Sequence, residues 1–91
     1  MKNKIGNDLK LFIKNNISDI AESHLEAWKE RYVKYKRVSD VRFDLNVNHD
    51  DSLEIENAEE ELKRELNINE VDFLVKRFHI EVCKKAKGYI Y

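Results

Sequence analysis

The chain has 91 residues, of which 42% are hydrophobic and 38% charged, and its formal net charge is −1. This length accommodates one domain with one modest core, and the recurring aromatic and branched side chains argue against disorder. The near-neutral total lacks the basic excess typical of nucleic-acid-binding proteins, and no run approaches the roughly 18 apolar residues of a membrane span.

Charge is distributed in three blocks along the chain. Residues 1–37 contain nine Lys and Arg against five Asp and Glu, residues 38–70 contain three against eleven, and residues 71–91 contain five against two. The near-zero total therefore hides an acidic block between two basic ones. Because uneven charge affects association with partners more than it affects the fold, this acidic block is the main functional indication in the sequence.

Cysteine and glycine are scarce, and proline is absent. The single cysteine, Cys83, excludes an intramolecular disulfide and predicts a reducing compartment, the cytoplasm. The sequence contains no phosphate-binding glycine loop, no nucleophile elbow and no metalloprotease helix. We therefore expect a single domain over residues 1–91 that is not an enzyme, holds no cofactor and does not associate with membranes.

The N-terminal third has a helical period. Residues 7–14 are predicted to form a first helix, and Asn15-Asn16 a break, after which Asn16 or Ser18 can cap a second helix over residues 19–36. The two segments could equally be one bent helix. The residues that recur at three- and four-residue steps in the second segment are Ile20, Ala21, His24, Leu25, Trp28, Tyr32 and Tyr35.

After Ser39-Asp40 the hydrophobic period changes to two, which predicts a strand over residues 41–47. The apolar members of the alternation are Val41, Phe43, Leu45 and Val47. Residues 48–52 then read as a polar turn. Residues 53–57 are ambiguous, since they can form a second strand that closes a hairpin or the first turns of an acidic helix capped by Asp51 or Ser52.

Helix is predicted over residues 58–66 and preferred over residues 69–86, with a capping box of Asn67 and Glu70 between them. A strand is the rival interpretation for the second segment, because Phe78, Ile80 and Val82 also alternate, and 89–91 could then be a last strand. The predicted fold is thus α+β and helix-dominated, with two N-terminal helices, a short strand or hairpin, and two C-terminal helices. The predicted core comprises Ile20, Leu25, Trp28, Tyr32, Phe43, Leu45, Leu62, Leu66, Leu74, Val75, Phe78 and Val82.

Two constellations have a passing likeness to metal sites. Residues 44–54 place oxygen-bearing side chains at alternate positions, as a calcium loop does, but His49 and Ile55 stand where that motif needs glycine and glutamate. Asp72, His79 and Cys83 share one face of a helix over 69–86, yet further zinc ligands are not evident. We therefore expect no metal site.

The acidic block supports the leading functional prediction. Glu59 and Glu60 can pair with Lys63 and Arg64 one helical turn later. Five acids have no obvious partner: Asp50, Asp51, Glu54, Glu56 and Glu61. They are either a solvated face or a docking surface. On the second interpretation the chain is a small non-enzymatic regulatory or inhibitory protein, expected to be a homodimer, that binds a protein partner with a basic surface.

The alternative prediction is a DNA-binding regulator. The order strand, helix, short turn, helix from Val41 onward is similar to the ribbon–helix–helix family of dimeric DNA-binding regulators. The resemblance implies that strand 41–47 pairs with its twin across a two-fold axis and presents Arg42, Asp44 and Asn46 to the major groove. The basic, aromatic-rich segment 29–37 is a second possible contact with nucleic acid. The nucleic-acid-binding residues of this alternative are Arg31, Lys34, Lys36, Arg37 and Arg42.

Overall fold

The computed structural model describes residues 4–35 and 37–88, and within these residues the chain forms four α-helices and no strand. Helix α1 spans Asn7–Tyr32, α2 spans Val38–Asn48, α3 spans Ser52–Leu62 and α4 spans Ile68–Ala86. The predicted α+β class is therefore wrong, and the described fold is all-α. None of these helices combines the length and apolarity needed to cross a bilayer.

Helix α1 is one helix with a late kink, so the predicted break at Asn15-Asn16 is wrong and the bent-helix alternative is correct. The Asn16 side chain donates a hydrogen bond from Nδ2 to the Phe12 carbonyl oxygen at 2.9 Å, which keeps this turn-forming residue within the helix. The backbone departs from helical geometry at Trp28, with φ −114° and ψ 16°. After this bend, Arg31 pairs with Asp44 of α2.

Helix α2 occupies the segment predicted as a strand. Val41 and Leu45 are buried and lie one helical turn apart, whereas Phe43 and Val47 are 66% and 59% exposed. The alternation of residues 41–47 contains this four-residue spacing, so the same sequence is compatible with a helix that buries only every second apolar residue. Without a strand, the ribbon of a ribbon–helix–helix fold is not formed.

Residues 53–57 belong to α3, so the hairpin interpretation is wrong and the helical alternative is correct. Asp51 precedes the helix, but its side chain makes no capping hydrogen bond, so the cap that this alternative expected is not formed. The helix ends at Lys63, which adopts a left-handed conformation with φ 60°. It therefore stops four residues earlier than the predicted boundary at residue 66. The helical interpretation of residues 69–86 is confirmed by α4, while the possible last strand at 89–91 lies outside the described residues.

The core lies mainly between α1 and α4. Each helix contributes a row of buried residues at four-residue spacing: Leu9, Ile13, Ile17, Ala21 and Leu25 from α1, and Glu70, Leu74, Phe78, Val82 and Ala86 from α4. The two helices run in the same direction, since Gly6 meets Glu70 at one end and Glu22 pairs with Lys85 at 3.3 Å near the other. Helices α2 and α3 both pack against α4, and α3 also contacts α1.

Half of the predicted core is fully buried, and two of its members are exposed. Trp28 is 43% exposed and Phe43 is 66% exposed. Ile20, Leu62, Leu66 and Val75 are partly buried. The remaining predicted members are buried: Leu25, Tyr32, Leu45, Leu74, Phe78 and Val82.

An arginine-centred network, which we call the Arg64 clamp (Asp8, Arg64 and Glu70), joins the N-terminal segment to the α3–α4 turn. Arg64 Nη2 lies 2.8 Å from Asp8 Oδ1 and 2.7 Å from Glu70 Oε2. Glu70 also accepts hydrogen bonds from the backbone N–H of Gly6 and of Asn67, and the predicted capping box is confirmed. A Cβ at Gly6 would lie 2.6 Å from Asp8 Oδ1 and 2.7 Å from Arg64 Nη2, so a larger residue there would displace the ends of these side chains.

Candidate functional sites

The five acids predicted as one docking surface lie on different sides of the α2–α3 corner. Glu56 and Glu61 are exposed on the outer face of α3. Asp51 and Glu54 instead point inward to histidine side chains, and Glu54 is buried. Asp50 is exposed, and its Oδ1 accepts hydrogen bonds from the backbone N–H and the hydroxyl of Ser52. The structure therefore divides this set into an outward and an inward group.

Of the outward group, Glu61 lines a groove of ≈ 310 Å³ between α1 and α3, which we call the acidic groove. Its lining residues are Phe12, Asn16, Asp19, Ile20, Asn57, Glu60 and Glu61. Glu60 is available to the groove because Arg64, its predicted partner, forms the Arg64 clamp instead. The groove thus has two partly buried apolar side chains, three carboxylates and no cationic residue among its lining.

The inward group belongs to a histidine cluster in which all three histidines of the chain meet: His24 from α1, His49 from the α2–α3 connection and His79 from α4. The His24 and His49 ring centroids are 4.7 Å apart in an edge-to-face arrangement, and both rings contact Phe78. The three residues are 25 and 30 positions apart in sequence, and only the packing of α1, α2 and α4 brings them together.

Carboxylates surround two of these imidazoles. His49 Nε2 lies 3.1 Å from Glu54 Oε1 and 3.6 Å from Asp51 Oδ1. His79 Nε2 lies 3.1 Å from the same Asp51 oxygen, and His79 Nδ1 lies 3.2 Å from Asn46 Oδ1. Asp51 is thus shared by two imidazoles from different parts of the fold.

The third histidine is held differently. His24 Nε2 and the Tyr32 hydroxyl are 2.6 Å apart in the interior. Burial, together with the nearby His49 and His79, lowers the pKa of His24 to about 4, and burial raises the pKa of Tyr32. His24 is therefore a neutral hydrogen-bonding ring at neutral pH.

A pocket of ≈ 330 Å³ opens beside His24 and His49, with Trp28 and Leu53 also at its edge. Its polar wall is an ion pair in which Arg31 Nε and Nη2 donate to the two oxygens of buried Asp44 at 2.6 and 2.7 Å. This pair holds the pKa of Asp44 at about 2. Both members of the ion pair therefore stay charged, and their opposite charges cancel within the pocket wall.

The nucleic-acid alternative assigned five basic residues, and the structure does not gather them on one free face. Arg31 is committed to Asp44, and Arg37 is exposed with Asp40 at 3.8 Å. Lys34 is exposed, Arg42 is exposed on α2, and Lys36 lies outside the described residues. The ribbon–helix–helix resemblance implied that Asp44 faces the DNA major groove, but Asp44 is buried.

The structure also shows where the residues of the two metal-like patterns lie. Asp72 pairs on the surface with Lys76 at 3.0 Å, Cys83 is buried, and His79 faces Asp51, so the Asp72–His79–Cys83 combination does not converge. Within residues 4–35 and 37–88 one group of three His, Cys, Asp or Glu side chains has ligand atoms within 4.8 Å of one another: His49, Asp51 and Glu54. The spacing His-x-Asp-x-x-Glu was the sequence signal for this group.

No family model, curated protein or solved structure matches this chain.

Proposed function

We propose that the chain is a non-enzymatic interaction protein that binds a basic segment of a partner protein in the acidic groove. The observation that carries the proposal is the combination of three carboxylates, from Asp19, Glu60 and Glu61, with the apolar side chains of Phe12 and Ile20 in one groove. Charge complementarity increases the rate and the specificity of association, while the apolar side chains supply surface that a partner can bury.

The chemistry of the groove favours a partner segment with Lys or Arg on one side and apolar residues on the other. Glu56 is exposed four residues before Glu60 on α3, so it extends the negative surface along the helix. Nucleic acid is repelled by the same charge. A regulatory or inhibitory role follows if the partner uses its basic segment for another contact.

A strand over residues 41–47 would need a partner strand, which a second copy of the chain could supply, but these residues are helical and do not call for a homodimer. The interaction proposed here is complete within one copy of the chain, since α1 and α3 of the same chain line the acidic groove.

Charge reversal tests the proposal. The double substitution Glu60→Lys and Glu61→Lys changes exposed residues of the groove, whereas Glu30→Lys and Glu65→Lys makes the same change in net charge at exposed residues outside it. Glu54 is left unchanged, because it is buried against His49.

We expect the groove variant to lose capture of basic proteins from cells that encode the chain, and the control variant to retain it. Both should keep the melting temperature of the unmodified chain within a few degrees, since surface substitutions of this kind change stability by about 0.5 kcal/mol or less. Equal loss in both variants would indicate attraction to net charge alone, and undiminished capture by the groove variant would contradict the proposal.

A further inference from the structure

The α2–α3 connection brings three potential metal ligands together within six residues. His49 ends α2, Asp51 precedes α3 and Glu54 lies in its first turn. Their ligand atoms lie within 4.8 Å of one another, and the side chains are 8–22% exposed, so the group is accessible without being fully solvated. A short connection fixes this group at little entropic cost, because few residues separate its members.

Helix α4 adds a fourth donor from a distant part of the chain. His79 Nε2 lies 3.1 Å from Asp51 Oδ1, the same oxygen that faces His49. The set therefore comprises two imidazole nitrogens and two carboxylates. His24 is not a member, because its Nε2 is engaged by the Tyr32 hydroxyl.

Three of the donor separations are close to those around a tetrahedral ion. Four ligands at about 2.0–2.1 Å from a zinc ion lie about 3.3 Å from one another. The neighbouring donor atoms here are separated by 3.1, 3.6 and 3.1 Å, for the pairs His49–Glu54, His49–Asp51 and His79–Asp51. His79 Nε2 is close to Asp51 but lies outside the group of three whose donor atoms are all within 4.8 Å of one another, so its side chain has to move toward His49 and Glu54 to complete four-coordination.

The hydrogen-bonding of His79 is compatible with a bound cation. Both of its ring nitrogens face oxygen atoms, Nδ1 toward Asn46 and Nε2 toward Asp51. A neutral imidazole has one N–H and can satisfy only one of these contacts, whereas a protonated imidazole donates to both. A metal ion at Nε2 would take the place of the second proton while Nδ1–H donates to Asn46, which is the usual arrangement of a second hydrogen-bonding partner behind a ligating histidine.

We propose that His49, Asp51, Glu54 and His79 form a binding site for a divalent transition-metal ion, with Zn²⁺ as the ion that fits the donor set. Imidazole with carboxylate suits zinc, whereas Ca²⁺ and Mg²⁺ prefer oxygen ligands alone. Four protein ligands are typical of a structural site, and this one ties the α2–α3 connection to α4. The proposal does not depend on the acidic groove, which shares no residue with the site.

The test is a calorimetric titration of the tag-free, chelator-treated full chain with Zn²⁺ alone. We expect one ion per chain and a rise in melting temperature, with Ca²⁺ and Mg²⁺ binding much more weakly. Glu54→Gln and His79→Gln should each weaken zinc binding by about tenfold or more. Glu65→Gln makes the same chemical change as the first variant at an exposed position outside both sites and should leave zinc affinity unchanged.

A second readout decides the matter even if a variant fails to fold. In the unmodified chain, Zn²⁺ should shift the ring resonances of both His49 and His79 at one equivalent, and Co²⁺ should give the intense visible bands of tetrahedral coordination. The proposal is overturned if the chain shows no saturable zinc binding, if zinc leaves the His79 ring unaffected, or if both variants bind it as tightly as the unmodified chain.

Discussion

Glu70 combines three roles in a single buried side chain. Its carboxylate pairs with Arg64, accepts from the backbone N–H of Gly6 and completes the capping box with Asn67. The Arg64 guanidinium, opposed in part by burial and aided by the two backbone donors, lowers the pKa of Glu70 from 4.5 to about 2. The residue therefore holds the N-terminal segment, the α3–α4 turn and the start of α4 in one place.

This pKa shift makes a prediction for acid stability. Because the folded-state pKa lies below the unfolded value, the stabilisation from Glu70 is fully present above pH 4.5 and is lost as pH falls toward 2. We expect Glu70→Gln to lower the free energy of unfolding by about 2–3 kcal/mol at neutral pH, since it removes a charge-assisted network and a cap. Urea denaturation of both proteins from pH 7 to pH 2 measures the difference, which should shrink below pH 4.5. A difference that stays constant over this range would show that the Glu70 charge is not the source.

Part of this network could be predicted from the local sequence. Asn67 and Glu70 are three residues apart, so their capping box is visible in the sequence. The partner of Arg64 is not visible in the sequence. Arg64 pairs with Asp8, which is 56 residues away, and not with Glu60, which lies one helical turn before Arg64. Long-range ion pairs depend on packing that no local pattern specifies.

At the scale of elements, α2 is the segment where sequence and structure differ most. Strict alternation over residues 41–47 is ordinarily the pattern of a half-buried strand. Packing against α4 and the Arg31–Asp44 ion pair instead favour a helix, which buries Val41 and Leu45 and leaves Phe43 outside. The confirmed prediction of α4 rested on a longer periodic stretch with a cap, where tertiary contacts and local pattern agree.

Alanine substitution distinguishes the two interpretations of this segment. A strand would bury Phe43 and Leu45 on the same face, so each substitution would be costly. In the helix, Leu45→Ala removes a side chain that is 1% exposed and should cost about 2–4 kcal/mol, whereas Phe43→Ala alters a residue that is 66% exposed and should change stability by about 0.5 kcal/mol or less. Denaturant midpoints measured by far-UV circular dichroism provide the comparison. Similar losses in both variants would contradict a helical α2.

At the scale of the whole molecule, the residues of the acidic block lie in two different environments. Asp51 and Glu54 lie against His49, while Glu56, Glu60 and Glu61 lie along the exposed face of α3. The acidic block could be recognised in the sequence. Its division into inward and outward residues could not, because that division depends on which face of α3 meets the core. The convergence of three histidines from two helices and the α2–α3 connection could not be predicted from the sequence either. His79 was noted for its spacing to Cys83, yet its contacts are with Asp51 and Asn46.

The central claim is that the carboxylates of the acidic groove, and not the acidic block as a whole, form the surface that receives a basic partner. A residue-resolved NMR titration of the full chain with a synthetic Lys-rich amphipathic helical peptide tests it most directly. We predict saturable amide shift changes at residues lining the acidic groove, led by Asp19, Asn57, Glu60 and Glu61. Exposed acids elsewhere, such as Glu65 and Asp72, should remain unperturbed. Shift changes spread evenly over all exposed acids, or none at all, would contradict the claim.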